Sequence, residues 1–366
     1  MQISKRLIIA SLAFGIVGCD QVRVPGVSGA PEEQAAAPIE TPASAAAPVN
    51  SAVDVTLEPV LETPEETTET EIILSELVTD LAQVNAVVCG LPLKPVEDSL
   101  TIAELTGAEP QSPDLVGTAT VNGTAASLAA FPGLVKMEPR EVLPGGAIAS
   151  GHCGATRIGE NWFITAAHCL DDDFDEVRLI SGVENLQSPL AKMTMASASF
   201  CHAAYDGIGN NYVNDVALLR IDDEAAAQLS ELPIARYGST TKSLLPFNYS
   251  EARMAGWGLT SFNGSLSSRL LTATLSLTDT GPATIGVASI DGAGPCIGDS
   301  GGPLFIDEDD GSPIVVGVLS VVEQNLQTRR FCEGDYGARY TNLQGYEQWI
   351  SALIDACEAN PGLCGS

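Results

Sequence analysis

Three strand-type apolar runs, each bearing a residue able to do chemistry, constrain this chain more than its composition does. WFITAAHC brings a β-type run directly up to His168, with Cys169 behind it. Forty-seven residues later NDVALLRI opens on Asp215 and continues as an apolar, largely buried type of strand. Eighty-five residues further on, GDSGGPLF sets Ser300 between Asp299 and a Gly-Gly pair. Glycines at such a spot suit a tight turn that needs positive φ or close backbone approach. Singly, each has a bland explanation: a structural histidine, a strand-entry cap, a glycine loop. In the order His, Asp, Ser they form a constellation that none of these explanations covers.

That constellation closely resembles the trypsin/chymotrypsin-like serine peptidases, with GDSGGP and TAAHC as highly specific motifs and NDVALL as a moderately specific one. The resemblance extends over about residues 120–355. AGWG at 255–258 is similar to the signature between the two barrels of that family, and TVNG at 120–123 with Pro132 to its start. YTNL at 340–343 and YEQWISALIDA are similar to its last strand and closing helix. The resemblance implies an all-β fold, two antiparallel β-barrels of the chymotrypsin type with a C-terminal α-helix. Residues 120–366 have the right length for one such domain.

The roles follow from what the family chemistry requires. A serine hydroxyl is too weak an acid to attack a peptide carbonyl unaided at neutral pH. By resemblance, His168 takes the Ser300 proton and returns it to the leaving amine, while Asp215 holds the imidazole tautomer and stabilises the imidazolium. Backbone N–H groups of Gly298 and Ser300 face the developing oxyanion, with glycine at 298 to keep the substrate path clear. Ser320, Val321 and Val322 form the extended segment that pairs with substrate backbone. Asp299 pairs, after a cut, with the new ammonium of Thr120, which implies a zymogen. Here Ala119 precedes Thr120 where Arg or Lys is usual, and the alternative is an Asp299 satisfied by nearby backbone donors without cleavage.

Gly294, six positions before Ser300, stands where the trypsin branch carries an acid. Without that charge a bound Lys or Arg would be buried unpaired. Val322 aligns with the pocket mouth and Ala338 with its back wall, so the expectation is cleavage after small or medium aliphatic residues, as in elastase-like members. The family also implies the bridges Cys153–Cys169 and Cys296–Cys332. Cys357 and Cys364, flanking EANPGL, close a C-terminal loop, which leaves Cys89 with Cys201. Nine cysteines, eight without Cys19, suit an oxidising compartment. The resemblance implies protein or peptide substrates and no cofactor or metal.

Outside this region the chain reads differently. Lys5 and Arg6 precede LIIASLAFGIVG, an apolar run too short to span a bilayer but suited to a signal peptide over residues 1–18. Ile16-Val17-Gly18-Cys19 resembles the lipobox of bacterial lipoproteins, in which the cysteine is diacylated. It implies export in a Gram-negative-type bacterium and a lipid-anchored protein, periplasmic or at the cell surface. Residues 19–70, rich in Ala, Pro, Glu and Thr, read as a disordered tether. Residues 71–119 read as a pro-segment or a linker, in which the apolar spacing of EIILSELVTDLAQVNAVV suggests a short helix before Cys89.

The net charge of −30 argues against nucleic acid as a partner, because that needs a positive footprint. It divides evenly: residues 20–118 carry eighteen acids and two bases, residues 119–366 twenty-nine and thirteen. The acidic runs at 171–176 and 307–310 lack a recognised calcium spacing and read as solvated turns. The sequons at Asn122, Asn248 and Asn263 carry no role in a bacterium. The functional alternative is a non-catalytic peptidase homologue acting as a membrane-tethered binding module.

Overall fold

The computed structural model describes residues 78–93, 121–244 and 249–365, all within a unit spanning residues 64–366. The leader, Cys19, the tether, Thr120 and Asn248 lie outside the described residues.

Short runs with alternating or fully apolar character build two antiparallel sheets, as Glu176–Ser181 shows with every second side chain buried. The first sheet takes β1 (Ala86–Val88), β3 (Leu134–Val142), β4 (Ile148–Ser150), β5 (Cys153–Arg157), β6 (Trp162–Thr165), β7 (Glu176–Ser181), β8 (Lys192–Met195), β9 (Ala198–His202) and β10 (Ala217–Arg220). The second takes β2 (Thr124–Ala125), β11 (Glu251–Gly256), β12 (Leu271–Thr280), β13 (Thr284–Ser289), β14 (Pro303–Asp307), β15 (Pro313–Val322) and β16 (Gly337–Asn342). The first ladder runs β1-β9-β10-β6-β5-β3-β7-β8, with β4 on β3. The second runs β11-β14-β15-β16-β13-β12, closes by β11 pairing with β12, and carries β2 on β12. The described residues are thus all-β, with a closed six-stranded barrel, a companion sheet, a short helix α1 (Asp223–Gln228) and a C-terminal helix α2 (Glu347–Ala359).

Two main clusters form the core, the larger holding first-sheet residues together with Ala255, Phe305, Val315 and Val318 of the second. Phe163, Phe200 and Leu218 of the first pack in one cluster with Trp349, Ile350 and Leu353 of α2, whose buried positions recur at helical spacing. Met254, Leu275, Ile285, Leu304 and Tyr340 fill the closed barrel. A third, small cluster of Val121, Cys296, Cys332 and Tyr336 lies apart from both.

Of the stretch 71–88, whose apolar spacing suggests a helix, the structure describes residues 78–88, and these differ from it. Leu81–Val84 makes one 3₁₀ turn, Asn85 turns left-handed at φ 59°, and Ala86–Val88 becomes β1. β1 pairs with β9, Val87 opposite Cys201. Two consecutive β-branched valines and an available sheet edge override the local period. Leu81, Ala86 and Leu91 are buried in the first core, and Trp349 Nε1 donates to the Asn85 carbonyl at 3.1 Å. This piece is therefore part of the first sheet. The structure joins Cys89 to Cys201, Cys153 to Cys169, Cys296 to Cys332 and Cys357 to Cys364.

The acidic runs are engaged in local contacts. Asp171 accepts from Tyr205, Asp175 from the Val142 N–H, and Glu176 pairs with Arg140 and Arg178. Asp307 pairs with Arg253, Asp309 with Lys242, and Glu308 accepts from Tyr249.

Candidate active site

β6 ends at Thr165 and the chain turns through a 3₁₀ turn, Ala167–Leu170, that carries His168. β10 runs antiparallel to β6 with Ala217 opposite Thr165, so two residues earlier Asp215 falls level with that turn. The Asp215 side chain is 0% exposed and accepts three hydrogen bonds. His168 N–H reaches Oδ1 at 2.8 Å, His168 Nδ1 reaches Oδ2 at 2.8 Å, and Ser320 Oγ reaches Oδ2 at 2.5 Å. A buried carboxylate without such donors would be strongly destabilising. Thr341 Oγ1 donates to the Asp215 carbonyl at 2.7 Å and fixes the backbone as well.

Because Asp215 only accepts, Nδ1 carries the proton and Nε2 is left as the basic nitrogen. Burial works against the imidazolium, but the charge and hydrogen bond of Asp215, with Asp171 behind, outweigh it and raise the His168 pKa above its ordinary value. The Tyr212 ring stands edge-on at 6.3 Å from His168. Cys153 and Cys169 also lie beside His168, but they are bonded to each other and offer no thiolate.

Ser300 reaches this place by backbone contacts. The Gly154 N–H donates to the Ser300 carbonyl at 2.7 Å, and the Gly301 N–H donates to the Leu319 carbonyl at 2.9 Å. Gly301 has φ +73°, and a Cβ there would meet Thr165 Oγ1 at 2.2 Å. Only glycine lets the loop from the barrel settle on the end of β6, where His168 follows. Among the described residues no hydrogen bond joins the Ser300 hydroxyl to His168 Nε2, which stands 3.8 Å from Cys169 Sγ. Such bonds often tighten only when substrate binds.

Gly298 has φ +95°. A Cβ there would lie 2.7 Å from Leu266 Cδ2 and 3.2 Å from Gly258 Cα. The left-handed backbone and the protein's own packing thus both call for glycine at this position. Asp299 is 2% exposed and accepts from the N–H groups of Gly258 at 2.7 Å and Cys296 at 2.9 Å. Burial raises its pKa to about 6, against those two hydrogen bonds and the charge of Lys136. Its expected partner Thr120 is outside the described residues.

Gly294 bridges to Val121, and a Cβ on it would lie 2.8 Å from Tyr336 Oη. That hydroxyl donates to the Pro295 carbonyl at 3.0 Å. Val322 packs on the same small cluster and sits opposite Ala338 in the β15–β16 ladder. β14 pairs with β15 no further than Val318, so Ser320, Val321 and Val322 keep one backbone side outside the ladder. Sequence reasoning missed the Ser320 side chain on Asp215, Tyr336 beneath Gly294, and a buried Lys136. A lysine inside the apolar strand LVKM was the only signal for the last.

The trypsin family profile matches residues 120–350, and the chain belongs to that family of serine peptidases, a class of hydrolases. It is 29% identical to granzyme M of Rattus norvegicus over 57% of this chain and 82% of that protein. It is 27% identical to fibrinolytic enzyme isozyme C of Lumbricus rubellus over 63% and 98%. To chymotrypsin-like elastase family member 3B of Macaca mulatta it is 29% identical over 55% and 82%. Among the described residues no helix is long and apolar enough to cross a membrane.

Proposed function

We propose that this chain is a serine endopeptidase that hydrolyses peptide bonds in protein or peptide substrates through Ser300, His168 and Asp215. The observation that carries the reading is the doubly bonded His168–Asp215 pair, which leaves Nε2 as the basic nitrogen. Nε2 takes the Ser300 proton as Oγ attacks the carbonyl carbon. The resulting oxyanion is held by the N–H groups of Gly298 and Ser300, each worth about 3–4 kcal/mol in such a site. The imidazolium, stabilised by Asp215, protonates the leaving amine, and water then releases the acyl group by the same steps in reverse order.

The pocket takes small or medium aliphatic side chains. Tyr336 occupies the space that a side chain at 294 would need, Val322 narrows the approach, and Gly294 supplies no carboxylate at that position to pair a bound Arg or Lys. The open backbone edge at 320–322 takes the substrate as an added strand. Residues 1–18 act as a lipoprotein-type signal peptide, Cys19 as the lipid anchor and residues 19–70 as the tether of an exported, membrane-held enzyme. Activation pairs Asp299 with the amino group of Thr120 after cleavage.

The test is labelling of the full chain with a fluorophosphonate probe, together with release from Ala-, Phe- and Arg-linked chromogenic peptides. Labelling that Ser300→Ala abolishes, with Ala preferred over Arg, supports the reading. Failure of the processed wild type to label favours the tethered binding module instead.

A further inference from the structure

Lys136 is a buried cation that the catalytic steps above leave unused. It is 2% exposed in the middle of β3, and a lysine is almost never so buried unless it is paired. Its Nζ donates to the Gly298 carbonyl at 3.2 Å. The register explains how it reaches that loop. Lys136 pairs with Gly154, a Cβ on Gly154 would lie 2.9 Å from Gly302 Cα, and the Gly154 N–H holds the Ser300 carbonyl. The loop that carries Ser300 thus rests directly on β5, at a point where β5 has no side chain to hold it off.

The carbonyl that Lys136 grips belongs to the peptide joining Gly298 to Asp299. The N–H of the same peptide donates to the Cys296 carbonyl at 3.0 Å, so both of its polar ends are tied. Fixing this plane fixes the direction of the flanking N–H groups of Gly298 and Ser300. The charges that face Lys136 are Asp299 in the loop and Glu138 on β3. Among the described residues, the buried Nδ1 of His152, just before β5, has no hydrogen-bond partner. Burial and then Lys136 lower its pKa to about 4, so His152 does not compete as a cation for the carbonyl.

We infer that Lys136 is a positioning residue for the oxyanion hole, its ammonium holding the Gly298–Asp299 peptide so that the N–H groups on either side face the reacting carbonyl. It acts through the loop and touches no substrate atom. The inference rests on the peptidase reading. Burial lowers the Lys136 pKa to about 8, against the pull of Asp299 and Glu138. The ammonium is therefore mostly charged at pH 7 and is lost as pH rises through about 8, which weakens its hold.

The experiment uses the full chain as wild type, Lys136→Met, Lys136→Arg and Ser300→Ala. Turnover of an Ala-linked anilide by the processed wild type, abolished in processed Ser300→Ala, is the control; its absence sinks the peptidase reading and this inference with it. With that control in hand, Lys136→Met is expected to lower kcat about 10- to 100-fold with KM changed less than about threefold, since oriented donors act on the transition state. The ratio of wild-type to Met kcat should shrink from pH 7 to pH 9.5. Lys136→Arg, whose guanidinium stays charged, should regain part of the activity and keep it to higher pH. An unchanged kcat in Lys136→Met, or a ratio constant with pH, overturns the inference. If Lys136→Met does not fold, Lys136→Arg decides: a wild-type fall in kcat near pH 8 that moves to higher pH in Lys136→Arg supports the role, whereas the same profile in both proteins overturns it, because the Thr120 amino group titrates alike in each.

Discussion

Ser320 Oγ donates to Asp215 Oδ2 at 2.5 Å, on the same oxygen that receives His168 Nδ1. Sequence resemblance assigns Ser320 to the substrate-binding strand, and the structure adds a side-chain contact with the buried carboxylate. The bulge between Leu319 and Val321 in β15 frees Ser320 for that contact. Removing the hydroxyl takes a donor from a buried charge, worth about 1.5–3 kcal/mol. Ser320→Ala should therefore lower kcat/KM by about tenfold or more. It should also move the acid limb of the pH–rate profile upward, because a less solvated Asp215 stabilises the His168 imidazolium more strongly. An acid limb that stays in place would show that the contact does not tune the histidine.

The wild-type acid limb itself should lie above the ordinary histidine range. His168 must be neutral to accept the Ser300 proton, and Asp215 raises its pKa in spite of burial. Activity should thus rise with pH through a midpoint above 6.5. Asp215→Asn removes the charge and favours the wrong tautomer, so kcat should fall by about 10⁴ and the remaining limb should move down. The same shift bears on stability: a pKa raised on folding stabilises the fold below about 6.5 and ceases to do so as pH passes the folded value. The Tm difference between wild type and Asp215→Asn, followed from pH 5 to 8, checks the sign and should narrow toward pH 8.

The residues that sequence alone made legible are those held in short contiguous motifs. His168, Asp215 and Ser300 each sit in a run of fixed local geometry, a strand end or a glycine turn, so neighbours in sequence report on neighbours in space. Lys136 and Tyr336 escaped because their roles depend on register between strands far apart in the chain, Lys136 on Gly154 and Tyr336 on the space left by Gly294. The described part of the stretch 71–88 departs from its helical spacing for the same reason. Its apolar spacing is locally helical, but β9, more than a hundred residues away, offers an edge that two valines and Cys89 fit better.

The pocket offers a test of size against charge. Tyr336 fills the place beneath Gly294, so Gly294→Asp has no room without displacing that ring. The single variant should lose activity toward Ala substrates and gain none toward Arg. Tyr336→Ala, by contrast, opens apolar space bounded by Val322 and the Cys296–Cys332 bridge. It should shift the Phe/Ala ratio of kcat/KM by about tenfold toward Phe, the scale set by a few buried methylenes. Chromogenic peptides differing only at the cleaved residue measure both. Arg cleavage by Gly294→Asp alone would mean that Tyr336 moves freely.

The domain that folds should begin before residue 120, although the family profile begins there. β1 completes the edge of the first sheet on β9, Leu81 and Ala86 enter its core, and Cys89–Cys201 closes a separation of 112 residues. A chain beginning at Thr120 uncovers the β9 edge, leaves Cys201 as a free thiol and takes from Trp349 its partner at Asn85. Such an edge is prone to pairing with other chains. Cys89→Ser with Cys201→Ser keeps β1 but loses the tie, which for a loop of this length should cost about 2–5 kcal/mol. Urea unfolding should show a lower midpoint with a nearly unchanged slope for the double serine variant. The truncated chain should aggregate or unfold at still lower urea. A truncated chain as stable as the full one would place β1 outside the folding unit.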